Sequence, residues 1–273
     1  MTDMLTYIDY PVGQLRPYIN WIYFFHAWGL SGKPQQEKDR MRNEADQMLD
    51  VFERKYMTHA VFGLFDANSD GDDIIIGDTR LPMLRQQHPT REGEPNLCLA
   101  DFVRPAASGI HDRMGAFATT VDIAMERDFV GDDFSRMLSQ TLADRLAEAT
   151  AELLHMQARR RYWGYAPDER LSVGEMLAER YQGIRPAVGY PSMPDTSMNF
   201  LLDRLLDMKR IGIRLTESGA MRPHASVSGL MFAHPKARYF DLGKIGGDQL
   251  RDYARRRHIP IELARRFLAS RLG

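Results

Sequence analysis

The 273 residues allow one large domain or two small ones and are ample for a hydrophobic core. Lys and Arg (36) nearly balance Asp and Glu (37), and the resulting net charge of −1 argues against a general nucleic-acid or membrane-surface binder. The single cysteine, Cys98, excludes an internal disulfide and a Cys-rich zinc site, no apolar run approaches the ~20 residues that cross a bilayer, and no secretory signal opens the chain; the expectation is a cytoplasmic protein.

In chain order, the first element is an amphipathic helix over 36–56, with Met41, Ala45, Met48, Val51 and Phe52 at helical spacing. The period then changes. Residues 59–67 and 73–77 read as strands flanking Asn-Ser-Asp-Gly-Asp, which suggests a hairpin. Residues 97–103 and 114–121 are further strand candidates, with a loop between them. The strongest helix runs from about Asp132 to Arg161, with Phe134, Leu138, Leu142, Leu146, Ala149, Leu153 and Met156 on one face. Asp132 and Asp133 suit its N-terminus and Arg159 to Arg161 its C-terminus. A Gly/Pro-rich passage over 183–195 is too rich in breakers for helix or strand. A helix near 197–209, a β-type run over 225–233, a helix opening near Asp248 and another with Pro260 at its first position complete the chain. Early strands and a long central helix do not alternate as βαβ units do, so the class is α+β, with an antiparallel or mixed sheet in one domain.

Most signatures of catalysis are missing. There is no dinucleotide fingerprint, Walker loop, His-Glu-x-x-His or Gly-x-Ser-x-Gly elbow. Asn68 to Asp73 resembles the start of a calcium loop, but the ligand spacing and the downstream Glu do not follow, so a turn is the better reading. His111-Asp112 in a loop reads as structural, and Cys98 in an apolar run reads as a buried thiol. The segments at 163–169 and 183–191 place Arg and Tyr among backbone-permissive residues in irregular chain. Such loops suit a small anionic or zwitterionic ligand, although a purely structural loop explains them as well.

Eleven strings occur in order along the chain. They include INWIYFFHAW (19–28), GLFDANSDGDDI (63–74), CLADFVRPAASG (98–109), LADRLAEATAELLH (142–155), WGYAPDE (163–169), YQGIRPAVGYPSMPD (181–195) and AHPKARYF (233–240). By these strings the chain resembles the reactivation domain of cobalamin-dependent methionine synthase, which binds S-adenosylmethionine, over nearly its whole length. The resemblance implies one domain over 1–273: a curved antiparallel sheet surrounded by helices, unlike a Rossmann fold. It also implies a task. Cobalamin whose cobalt has been oxidised is restored by one electron from a flavodoxin or similar donor and a methyl group from S-adenosylmethionine. Methyl transfer moves no proton, so positioning replaces acid–base chemistry and no catalytic residue or metal ligand is expected.

Carried over position by position, the resemblance implies that Arg185 pairs with the ligand carboxylate and that the backbone at Ala187 lines the ligand. It places Tyr190 towards the cobalamin, Tyr239 and Phe240 as an aromatic pair along the ligand, and Glu148 and Glu179 as site glutamates. Asn20 is a departure, because the family has Asp there. An amide accepts a hydrogen bond from an ammonium but brings no charge, which predicts affinity lower by about one order of magnitude. Met193 and Thr196 stand where the family has Cys and His.

One cysteine cannot build the zinc module of an intact synthase, and the Asp-x-His-x-x-Gly motif of its cobalamin module is absent. The expectation is therefore a free-standing chain that acts on a separate cobalamin-binding methionine synthase subunit, with no nucleic acid or membrane partner. The alternatives are a reactivase for another corrinoid methyltransferase and a binding module without turnover.

Overall fold

Residues 57–70 and 112–121 form two long strands at the centre of one sheet in the computed structural model, which describes residues 4–129 and 131–272. The strands are β1 (Met4–Pro11), β2 (Met57–Asp70), β3 (Asp73–Ile76), β4 (Thr79–Pro82), β5 (Asp112–Val121), β6 (Arg214–Leu215), β7 (Met221–Arg222) and β8 (Ser226–Met231). The curled antiparallel sheet runs β4-β3-β2-β5-β8, and β1 also pairs with β2. β1 (Met4↔Leu64 to Pro11↔Met57) and β3 (Asp70↔Asp73) follow one another along one side of β2, while β5 takes the other side. β6 and β7 form a separate short pair.

The helices are α1 (Val12–Leu15), α2 (Trp21–Ala27), α3 (Gln35–Lys55), α4 (Ala124–Arg127), α5 (Asp133–Gln157), α6 (Val173–Leu177), α7 (Met198–Leu206), α8 (Gly247–Arg257) and α9 (Ile261–Phe267). Because side chains alternate along a strand, β2 and β5 feed two cores. Ala60, Phe62 and Phe117 pack with Leu49 and Phe52 of α3 and Leu142 and Leu146 of α5. Val61, Phe65 and Ala116 pack on the other face with Leu202 and Leu206 of α7 and Leu250 of α8. Burial of each such large side chain contributes about 1.5–3 kcal/mol. Thr119 on β5 donates to the Ala147 carbonyl at 2.9 Å, which fixes α5 against the sheet.

Several expectations change in detail. The hairpin turns at Gly71-Asp72, so Asn68 and Ser69 lie within β2. Residues 97–103 form no strand. Leu99–Phe102 is a 3-10 turn whose residues are mostly buried, and apolar content without alternation does not specify a strand. On α3, Leu49 points inward, whereas Val51 is 41% exposed. Phe134, on the first turn of α5, is 44% exposed. Pro260 sits one position earlier than expected, as the N-cap of α9. β1, β4, β6 and β7 and the short helices α1, α2, α4 and α6 were not among the expected elements. Among the described residues, no helix is long and apolar enough to cross a membrane.

Candidate functional site

Residues 184–188 lie along the outer edge of β8. Ile184 and Phe232 exchange backbone hydrogen bonds at 3.0 and 2.9 Å, Leu230 donates to the Pro186 carbonyl at 3.1 Å, and Val188 donates to the Ser228 carbonyl at 2.9 Å. Pro186 forgoes one donor, which an edge segment tolerates. Close approach requires glycine opposite. A Cβ on Gly229 would meet the Pro186 carbonyl oxygen at 2.2 Å, and one on Gly183, at φ +87°, would meet that of Phe232 at 2.1 Å. By strand alternation, residues 184, 186 and 188 bond to β8, so the amides of Arg185 and Ala187 point away from it. The Arg185 N–H donates to the Tyr239 hydroxyl at 2.9 Å.

Arg185 is held from the interior. One guanidinium nitrogen, Nη2, donates to Glu152 Oε1 of α5, and the two side chains are 11% and 17% exposed. Burial works to lower the pKa of the guanidinium, and Glu152 more than offsets this, so the group stays charged. Nε of Arg185 and Oε2 of Glu152 are buried without partners. Phe117 of β5 lies under the guanidinium, 5.9 Å from ring centroid to Cζ. The arrangement is a fixed, charged fork suited to a carboxylate.

Beside it, Tyr190 is half exposed and donates to Glu148 Oε1 at 2.9 Å. Burial and the nearby Glu148 push its phenol up to about 12, so it stays a donor at neutral pH. Arg145 bonds Glu148 at 3.3 Å and lies 5.9 Å from the ring of Tyr23 on α2. A cleft of about 220 Å³ adjoins this group, lined by Asp144, Arg145, Glu148, Val188, Tyr190 and His224 among others. Glu179 has a left-handed backbone, φ +57°, and its carboxyl is raised by burial and by the charge of Glu152.

The structure therefore brings Glu148, Arg185, Tyr190 and Tyr239 together, with the Ala187 backbone beside them and Glu179 within the same field. Phe240 turns inward and is 8% exposed, so its ring belongs to the core. Asn20 caps α2, its side chain accepting from the Ile22 N–H at 3.2 Å. Among the described residues, α2 reaches the group through Tyr23.

Three supporting residues were not anticipated. Glu152, His155 and Arg159 follow Arg145 and Glu148 along the polar face of α5 at steps of three and four; that run of polar residues beside the apolar stripe is the sequence signal. Arg159 is fully buried in a π-helical turn, Ala158–Tyr162, that extends α5. It is not a solvated partner of the helix dipole: it forms a bidentate pair with Glu169 at 2.8 and 2.7 Å. Its guanidinium also stacks 4.2 Å from the ring of Tyr181, whose hydroxyl meets that of Tyr239 at 3.5 Å. His155, wholly buried, sits edge-to-face on Tyr181 at 4.8 Å. Burial, Arg159 and Arg185 lower its pKa, so it is neutral.

The acidic hairpin has its own partners. Asp70 and Asp73 pair with Arg80, Asp73 also with Arg256, and Asp72 with Arg85. Burial raises the Cys98 thiol to about 12, which makes it unreactive.

This fold, with its antiparallel sheet edged by the Arg185 segment, defines a chain of the vitamin B12 dependent methionine synthase activation domain family. The model of that family matches residues 11–258, and the chain belongs to it. A crystal structure of the MetH reactivation domain bound to AdoHcy superimposes with a TM-score of 0.93 at 41% identity, covering 99% of this chain and 90% of that one.

Proposed function

We propose that the groove beside Arg185 binds S-adenosylmethionine and presents its methyl group to cob(I)alamin carried by a separate methionine synthase subunit, with an external electron donor such as flavodoxin. One observation carries this reading: Arg185 is fixed by Glu152 from within, by the Tyr239 hydroxyl at its amide and by the β8 edge along its backbone, and its guanidinium keeps donor capacity, the buried Nε included, that no residue of the chain takes up. The AdoHcy in the related structure is the compound left when S-adenosylmethionine loses its methyl group, and it supports the same ligand class.

The corrin, when bound by its own protein, supplies a Co(I) nucleophile. The residues of this chain orient the ligand. Arg185 takes the carboxylate, the outward Ala187 amide lines the ligand, and Tyr239 flanks it. Tyr190, half exposed and braced by Glu148, stands on the open side. In-line approach to the methyl carbon demands fixed geometry, and the bonded network supplies it. As the methyl group moves to cobalt, the C–S electron pair stays on sulfur, so no proton needs a base.

Titration calorimetry with S-adenosylmethionine tests the reading. Wild type should bind, and Arg185→Ala should lose about 100-fold or more, as expected for deleting a charge-assisted bidentate contact. Methyl transfer to added cobalamin protein under a low-potential reductant tests the second half. A binding module without turnover is the second reading. It is favoured by Asn20, which brings no charge where the family has Asp, and by Met193, which is only 3% exposed and stands where the family has Cys; it predicts binding without methyl transfer.

A further inference from the structure

Glu152 lies one turn after Glu148 on α5 and is the carboxylate in direct contact with Arg185. We infer that Glu152 is a positioning and specificity-determining residue: it holds Arg185 from behind and sets a charge balance that makes the site prefer a sulfonium ligand to its neutral thioether counterpart. The inference rests on the reading above.

The balance is local. Around the fork stand three carboxylates, Glu148, Glu152 and Glu179, and two guanidiniums, Arg145 and Arg185. Arg145 is matched by Glu148 and Arg185 by Glu152. Glu179 has no salt-bridge partner among the described residues; burial first and the charge of Glu152 second raise its carboxyl, while Arg185 opposes them. Behind the pair, Arg159 is spent on Glu169 and His155 is neutral, so neither adds free positive charge. These five groups carry one more carboxylate than guanidinium, and Asp144, which lines the cleft beside Arg145, adds to the acidic side.

S-adenosylmethionine carries a sulfonium, an ammonium and a carboxylate, for a net charge of about +1 at neutral pH, whereas S-adenosylhomocysteine is a zwitterion with no net charge. In a half-buried pocket, where water screens poorly, the excess carboxylate attracts the first and is indifferent to the second. Loss of Glu152 removes this excess. Arg185 then loses its direct counter-charge and the acidic excess is gone, so the sulfonium is held less well, while Arg185 still attracts the carboxylate common to both compounds.

The test is calorimetry of both compounds with wild type, Glu152→Gln and Glu152→Asp. Wild type should bind the sulfonium more tightly. Glu152→Gln should weaken both and shift their ratio by roughly five- to tenfold towards the thioether. Glu152→Asp should restore most of the ratio, even where absolute binding falls. A Gln variant that weakens both equally would reduce Glu152 to a brace, and one that binds both as wild type does would remove any role; either result overturns the inference and leaves the proposed function standing. Wild type that binds neither compound overturns both. Should Glu152→Gln not fold, Glu179→Gln removes a charge from an exposed position, and an unchanged ratio there overturns the charge argument.

Discussion

Arg159 and Glu169 form a fully desolvated bidentate pair, 0% and 9% exposed, that joins the π-helical end of α5 to the loop after it. Breaking such a pair leaves an uncompensated buried charge. Arg159→Met should therefore cost about 3–5 kcal/mol, and the double variant Arg159→Met/Glu169→Gln should recover much of that loss. Urea unfolding of wild type and the two variants checks it; an Arg159→Met protein near wild-type stability would show the pair to be dispensable.

Asn20→Asp keeps an equally good cap on α2, because both side chains accept from the first-turn amides. The fold should not change. Ligand affinity should rise about tenfold through the added charge. Calorimetry of the two proteins side by side decides the matter, and an Asp variant that binds no better than wild type removes Asn20 from the site.

Gly229→Ala should loosen the strip that carries Arg185, because its Cβ would lie 2.2 Å from the Pro186 carbonyl oxygen and 2.9 Å from Ala187 Cα. The expected loss is about 1–3 kcal/mol of stability, with weaker binding of S-adenosylhomocysteine. Gly174→Ala, in α6 with nothing within 4 Å of the added carbon, is the control and should be neutral or slightly stabilising. Equal effects from the two substitutions would contradict this.

His59 links three segments of the sheet, with Nδ1 2.7 Å from Asp9 and Nε2 3.0 Å from Asp122. Burial works to lower its pKa, but the two carboxylates prevail and raise it above 6.5. The folded state holds the proton more tightly than the unfolded chain. The stabilisation is therefore complete below about pH 6.5 and is lost as pH climbs through the higher folded value. Denaturation midpoints of wild type and His59→Gln, measured from about pH 5 to about pH 9, should converge as pH rises. A gap that stays constant would exclude the imidazolium as its source.

The elements legible in the sequence were those with one strong period. α3 and α5 fall within a residue or two of their expected starts, because each carries a long apolar stripe. The 97–103 run misled because it is packed from several sides as a single turn. β1 escaped because its polar Asp9 and Thr6 interrupt a short run that only pairing with β2 stabilises. At the site, family resemblance pointed to Arg185, Glu148, Tyr190 and Tyr239. The partners that hold them did not follow, since Glu152 meets Arg185 across 33 residues of chain and Tyr181 meets Tyr239 across 58. Such contacts are set by tertiary packing, which local spacing does not encode.

The strip carrying Arg185 also shields the last strand of the sheet. Without it, the row of unpaired amides and carbonyls on β8 would be open to strands from other molecules. Damage to this recognition segment should therefore surface as aggregation during expression as well as lost affinity.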